Sequence, residues 1–194
     1  MAKSALLVMD VQQDIVGRFA DDPGYLPRLR GAVDAARAAG VPVIHVVVGF
    51  RAGHPEISPR NTTFGGIAGA AAAGTTGGFA PGDPGAAIHP DVAPLGGEIV
   101  VTKKRVSAFA GSDLDMVLRA QGVDSLVLAG IATSGVVLST LRQAADLDFH
   151  LTVLEDGCLD GDPEVHRVLT GKVFPRQAEV VRIEEWAAGL SASA

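Results

Sequence analysis

Ala5-Leu-Leu-Val-Met-Asp10 is a continuous apolar run that stops on a carboxylate. Apolar residues without polar alternation mark a strand covered on both faces, the situation of a parallel sheet between helices. Val41 to Val48 is a second such run, rich in β-branched residues. Between the two, Leu26 to Ala39 carries Leu, Val and Ala at helical spacing, and Gly40 fits a C-terminal stop. The same pattern predicts strands at Glu98 to Thr102, Ser125 to Ala129, Leu151 to Leu154 and Glu179 to Val181. Helices are predicted at Ser112 to Gln121, Ser134 to Asp148, Asp162 to Val173 and Glu184 to Leu190. Asp162-Pro163-Glu164 is the clearest helix start, since Asp can accept from the first free amides and Pro is preset for the first turn. Strands alternating with helices predict a three-layer α/β/α domain around one mostly parallel sheet, spanning 1–194 as a single unit. Ligands of such sheets sit beyond the carboxyl ends of the strands. Asp10, Gly49 to His54, Lys103 and Gly130 to Gly135 each follow a predicted strand and are expected on one rim.

Asn61 to Pro94 breaks the alternation with a Gly/Ala-rich stretch that includes Gly65-Gly-Ile-Ala-Gly-Ala-Ala-Ala-Ala-Gly74. It has too few large apolar residues for a core of its own and is read as a long loop. A connection of this length is functional or disordered, and a surface loop and a lid over the rim both stand open.

Lys and Arg number 16 against 22 Asp and Glu, a formal net charge of −6, which leaves no footprint for a phosphate backbone and argues against nucleic acid as a partner. The N-terminal apolar run is too short for a membrane span and lacks a cleavage pattern, so a soluble cytoplasmic protein is expected, without a membrane partner. The chain has one Cys, Cys158, which excludes an internal disulfide and a sulfur-rich metal site. It lies in Glu155-Asp156-Gly157-Cys158, and acidic neighbours disfavour a thiolate. Any chemistry must therefore use carboxylates, Lys, His or hydroxyls, or that one sulfur, which reads as a structural small residue.

Asp10, at the end of a central strand, needs a partner or a raised pKa, because burying an unpaired carboxylate costs several kcal/mol; from position alone, a cap for the next turn and a functional carboxylate both stand open. Of Lys103-Lys104-Arg105, at least two are expected on a solvated face; if one reaches Asp10 across the sheet, it is the first, which leaves its strand directly. The five His (45, 54, 89, 150 and 166) show no metal-ligand spacing, so no metal is expected. Gly65-Gly66-Ile67-Ala68-Gly69 lacks the strand and spacing of a nucleotide loop, no cofactor is indicated, and no Gly-x-Ser-x-Gly elbow is present. Ser134 occupies a strand-to-helix turn, where a hydroxyl most often caps.

Taken in order, several segments resemble the isochorismatase-like hydrolase superfamily, which includes nicotinamidases, N-carbamoylsarcosine amidohydrolases and isochorismatases. They are Ala5-Leu-Leu-Val-Met-Asp10-Val-Gln-Gln-Asp14, Gly53-His54-Pro55-Glu56 with Arg60-Asn61, and Val101-Thr-Lys103-Lys-Arg-Val-Ser107-Ala-Phe109. Gly130-Ile-Ala-Thr133-Ser-Gly-Val-Val137 follows, then Asp156 and His166. The resemblance implies a Rossmann-like fold with a six-stranded sheet, a homodimer or tetramer, and a small-molecule substrate. It implies an Asp–Lys–Cys triad in which Asp10 matches the acid/base and Lys103 the lysine. A cis peptide aiming amides at the substrate oxyanion is implied at Ala132-Thr133. Gln12, His54, Phe109 and Ser134 are candidate pocket residues. The nucleophile does not carry over: the family's Gly-x-x-Thr-x-x-Cys-Val aligns with Gly130 to Val137 and sets Val136 at the Cys position. The metal-binding Asp-x-His-Pro of nicotinamidases aligns with Ala52-Gly53-His54-Pro55, without its carboxylate. Three functions follow: a hydrolase working through Asp10 without a covalent intermediate, as isochorismatases do with Gly at the Cys position; a silent binding or interaction protein; or an amidase or esterase using Ser134 or Thr133.

Overall fold

A computed structural model describes residues 3–19 and 22–192, so the outermost ends of the expected 1–194 domain lie outside it. Six strands, β1 (Ser4–Met9), β2 (Val43–Val48), β3 (Ile99–Lys103), β4 (Ser125–Ile131), β5 (His150–Leu159) and β6 (Glu179–Val181), form one sheet in the order β3-β2-β1-β4-β5-β6. Every pairing is parallel. Among the described residues, seven α-helices connect or follow them: α1 (Gln13–Val16), α2 (Tyr25–Ala38), α3 (Thr62–Ala72), α4 (Leu114–Gln121), α5 (Leu138–Asp146), α6 (Pro163–Val168) and α7 (Ile183–Ala192). Alternate residues of β1 explain its unbroken apolarity. Ala5, Leu7 and Met9 enter a core covered by α4 and α5 through Leu114, Leu118, Leu141 and Ala144. Leu6 and Val8 enter a second core covered by α2 and α7 through Leu29, Ala32, Val33 and Ile183.

From β1 the chain moves outward to β2 and β3; it then returns to β4 beside β1 and moves the other way. That reversal opens a crevice at the carboxyl ends of β1 and β4, the place where such sheets bind ligands. The two strands approach closely there. Met9 pairs with Gly130, whose φ is +142°, and a Cβ on Gly130 would lie 2.1 Å from the Met9 carbonyl oxygen. Only glycine fits.

The structure corrects the sequence-based expectations at three places. First, Asn61 to Pro94 is not an unstructured loop: it contains α3, and Asn61 Oδ1 accepts from the Phe64 N–H at 3.0 Å as its cap. Its glycines lower intrinsic helicity, but Phe64 is buried with Val48, Phe50 and Phe79 in a third apolar cluster, and this packing holds the helix. Second, β5 continues through the acidic Glu155-Asp156 to Leu159, because past an irregularity Cys158 and Leu159 pair with Gly130 and Ile131. Asp156 is put to use, accepting from the Ile183 N–H at 2.8 Å. Third, the helix expected over Asp162 to Val173 ends at Val168 and widens into a π-type turn over Leu169–Val173, which contains Gly171.

Candidate active site

The crevice holds a cavity of about 270 Å³. Asp10 and Lys103 are in its lining, brought from the ends of β1 and β3 on either side of β2. Lys103 Nζ lies 2.9 Å from Asp10 Oδ2 and donates to the Arg105 carbonyl at 3.0 Å. Both side chains are withdrawn from water, Asp10 at 6% and Lys103 at 2% exposure. Burial raises the Asp10 carboxyl above the ordinary carboxylate range, and the neighbouring ammonium pulls it part of the way back. Among the described residues, Asp10 Oδ1 has no hydrogen-bond partner although it is buried. The residue also has φ +56°, a left-handed conformation that Asp adopts more readily than most side chains, and its N–H is tied to the Val46 carbonyl at 2.8 Å. An unsatisfied buried oxygen on a backbone in a sparsely populated region is the kind of local cost that collects at functional sites.

Lys104 and Arg105, the other members of the basic triplet, donate to the backbone carbonyls of Gly49 and Glu56. The opposite wall of the cavity comes from Ile131, Ala132, Gly135 and Val136. Val136 is only 2% exposed and presents hydrocarbon where the resemblance sets the nucleophile. The cis peptide of this turn joins Ile131 to Ala132, one residue earlier than expected at Ala132-Thr133. The Ala132 carbonyl accepts from Gly135 and Val137, and Asp160 Oδ2 takes the Ser134 N–H at 2.7 Å, so the turn is braced from both sides. The remaining wall is Thr63, Phe64 and Ile67 of α3 together with Phe79. The segment read as a loop or a lid is thus a packed side of the cavity.

The other expected pocket residues are placed elsewhere. Gln12 is fully buried as a structural clamp: Nε2 donates to the carbonyls of Val48 at 2.9 Å and Ala86 at 2.8 Å, and Oε1 accepts from the Val48 N–H at 2.8 Å. His54 lies behind α3, with Nε2 2.9 Å from the Gly78 oxygen and its ring against Phe50. Phe109 packs on Phe149 in the core. Ser134 is exposed outside the cavity, and Thr133 is fully buried with Oγ1 2.9 Å from His166 Nδ1. Cys158 is buried and sits 3.9 Å from the Leu128 oxygen; burial, with Asp156 and Glu155 nearby, pushes its thiol up to about 12. Among the described residues no group of His, Cys, Asp and Glu could hold a metal ion. Sequence reasoning missed Arg18, Ile15 and Val106, which also line the cavity. Ile15 lies in the single-turn helix α1, Arg18 in the turn after it and Val106 shortly past the end of β3, stretches too short for periodicity to report which way a side chain faces.

The Isochorismatase domain profile matches residues 4–185, nearly the whole chain. The chain belongs to the isochorismatase family. Among its relatives, the isochorismatase family protein YecD of Escherichia coli O157:H7 is 34% identical, the match covering 94% of this chain and 93% of that protein. The ureidoacrylate amidohydrolase RutB of Stutzerimonas stutzeri is 33% identical over 94% of this chain and 77% of its own length. The crystal structure of an isochorismatase family protein from Desulfovibrio vulgaris superposes with a TM-score of 0.85 at 28% identity, covering 98% of this chain and all of that one (100%). This family comprises hydrolases of small molecules, and the six-stranded parallel sheet is its fold. Among the described residues no helix of this member is long and apolar enough to cross a membrane.

Proposed function

We propose that this isochorismatase-family hydrolase cleaves a small molecule without a covalent enzyme intermediate, with Asp10 as general acid/base and Lys103 as its electrostatic partner. The observation that carries this reading is the Asp10 carboxyl: one oxygen is held 2.9 Å from Lys103 and the other is buried at the cavity without a partner among the described residues. A raised pKa keeps a larger share of the carboxyl protonated, which suits proton donation. With an enol ether as substrate, Asp10 gives its proton to the terminal alkene carbon and the adjacent carbon becomes an oxocarbenium. Water adds to that carbon and returns a proton to the carboxylate, and the hemiketal splits into an alcohol and a ketone. Val136 takes no covalent part, because a hydrocarbon has no lone pair to attack with. An amide or ureide is the second class of scissile group, since one relative is named an amidohydrolase. There, ionised Asp10 would take the proton of the attacking water.

Nothing in the geometry favours Ser134 or Thr133 as nucleophile, the first being outside the cavity and the second sealed against His166. The test is an assay of enol ethers, amides and esters with wild type, Asp10→Asn and Val136→Cys. Asp10→Asn is expected to lose turnover, and Val136→Cys to gain amidase activity on the same Asp10–Lys103 pair. Activity indifferent to Asp10→Asn contradicts the proposal, and inactivity of wild type across the panel favours a binding protein on this fold.

A further inference from the structure

Among the described residues, three charged side chains line the cavity: Asp10, Lys103 and Arg18. The first two neutralise each other, and Lys103 spends its hydrogen bonds on Asp10 and the Arg105 carbonyl. Arg18 stands apart. It lies in the turn Gly17–Phe19, is exposed, and its side chain makes no hydrogen bond or ion pair with any described residue, whereas the side chain of every other arginine apart from Arg60 and Arg176 has a carboxylate, carbonyl or ring partner. It also lines an adjoining cavity of about 280 Å³ that shares Thr63, Ile67 and Phe79 with the first. Arg18 therefore stands where the two spaces meet, between an apolar chamber ending on Asp10 and an outer space that includes Thr76.

We infer that Arg18 is the specificity residue for a carboxylate carried by the substrate, so that the molecule hydrolysed is a monocarboxylate with an apolar body. The inference rests on the reading of this cavity as the active site. A guanidinium offers five N–H donors in a planar fork and accepts nothing, and its best-matched partner is a planar anion held by two parallel bonds. With Asp10 ionised the three groups leave the cavity one positive charge in excess, and with Asp10 protonated two. In a chain of net charge −6 this local excess draws an anion against the background field. Lys103 is committed to Asp10 and the Arg105 carbonyl, so Arg18 alone is left to grip the anion; its single charge balances a carboxylate and leaves a phosphate dianion half compensated at that contact. The walls from Phe64, Ile67 and Phe79 accept hydrocarbon, and a substrate anchored at Arg18 extends its reactive end toward Asp10.

Calorimetric titration of trans-cinnamate and its neutral isostere cinnamamide into the full-length protein, its Arg18→Gln and Arg18→Lys variants, and Asp10→Asn tests this. Wild type is expected to prefer the carboxylate by at least about tenfold, a gap that shrinks with added salt. Arg18→Gln should abolish the preference by weakening cinnamate alone, and Arg18→Lys should keep part of it. Arg18 has no side-chain partner to lose among the described residues, so the melting temperature of Arg18→Gln should match wild type. Failure of cinnamate to bind, equal affinities in wild type, or a preference that survives in Arg18→Gln overturns the inference. Asp10→Asn separates it from the proposed chemistry: that variant should still prefer cinnamate while its turnover is lost. Turnover that persists in Asp10→Asn sinks the chemistry and leaves the carboxylate site standing.

Discussion

The buried Asp10–Lys103 pair sets the behaviour of single residues. Removing one partner of a buried pair strands the other, so Lys103→Met should destabilise the protein by roughly 3–5 kcal/mol in urea denaturation, and adding Asp10→Asn to it should recover part of that loss. Cys158, whose thiol is pushed up to about 12, should resist a thiol reagent in the native state and react only on unfolding. Cys158→Ala should accordingly leave turnover unchanged; a fall of tenfold or more would restore the thiol to the chemistry. Asp10 and Lys103 were legible in the sequence because each ends an apolar run and the topology brings strand ends to one rim. Gln12, His54, Phe109 and Ser134, expected at the pocket, are not in the lining of this cavity, because nearness in sequence to a rim does not give the direction of a side chain. Gln12 turns inward to clamp Val48 and Ala86, and His54 faces away across α3.

At the scale of elements, the strands were readable and α3 was not. A strand buried on both faces announces itself by composition, whereas α3 depends on one cap and one aromatic anchor amid glycines and alanines. Phe64→Ala should therefore loosen α3 selectively. Hydrogen exchange is expected to rise over 62–72 while β1 and β4 stay protected, and KM should rise because Phe64 and Ile67 form a wall of the cavity. Equal loss of protection across the sheet would mean that α3 is integral to the main core. At the β1–β4 crossing, Gly130→Ala would drive a methyl group into the Met9 carbonyl and should prevent folding to a soluble product.

For the molecule as a whole, the parallel sheet and its reversal between β1 and β4 bring Asp10, Lys103 and the 131–136 turn together from far-apart positions in the chain. Stability in acid is tied to another long-range contact. Arg37 grips Glu98 with bonds of 2.8 and 2.9 Å, joining α2 to the start of β3, and holds the Glu98 carboxyl down from 4.5 to about 2. A carboxyl lowered by folding stabilises the native state above its unfolded value, and that contribution is lost as pH falls from 4.5 toward 2. The melting-temperature gap between wild type and Glu98→Gln should thus be constant above about pH 5 and close below it. A gap independent of pH would assign Glu98 a role in packing alone. The most direct test of how this protein works is the ratio of kcat/KM for wild type and Asp10→Asn on its best substrate among carboxylate-bearing enol ethers, amides and ureides. General acid/base work by Asp10 predicts a loss of roughly 10²–10⁴-fold in the variant, whereas values within twofold of each other would contradict it.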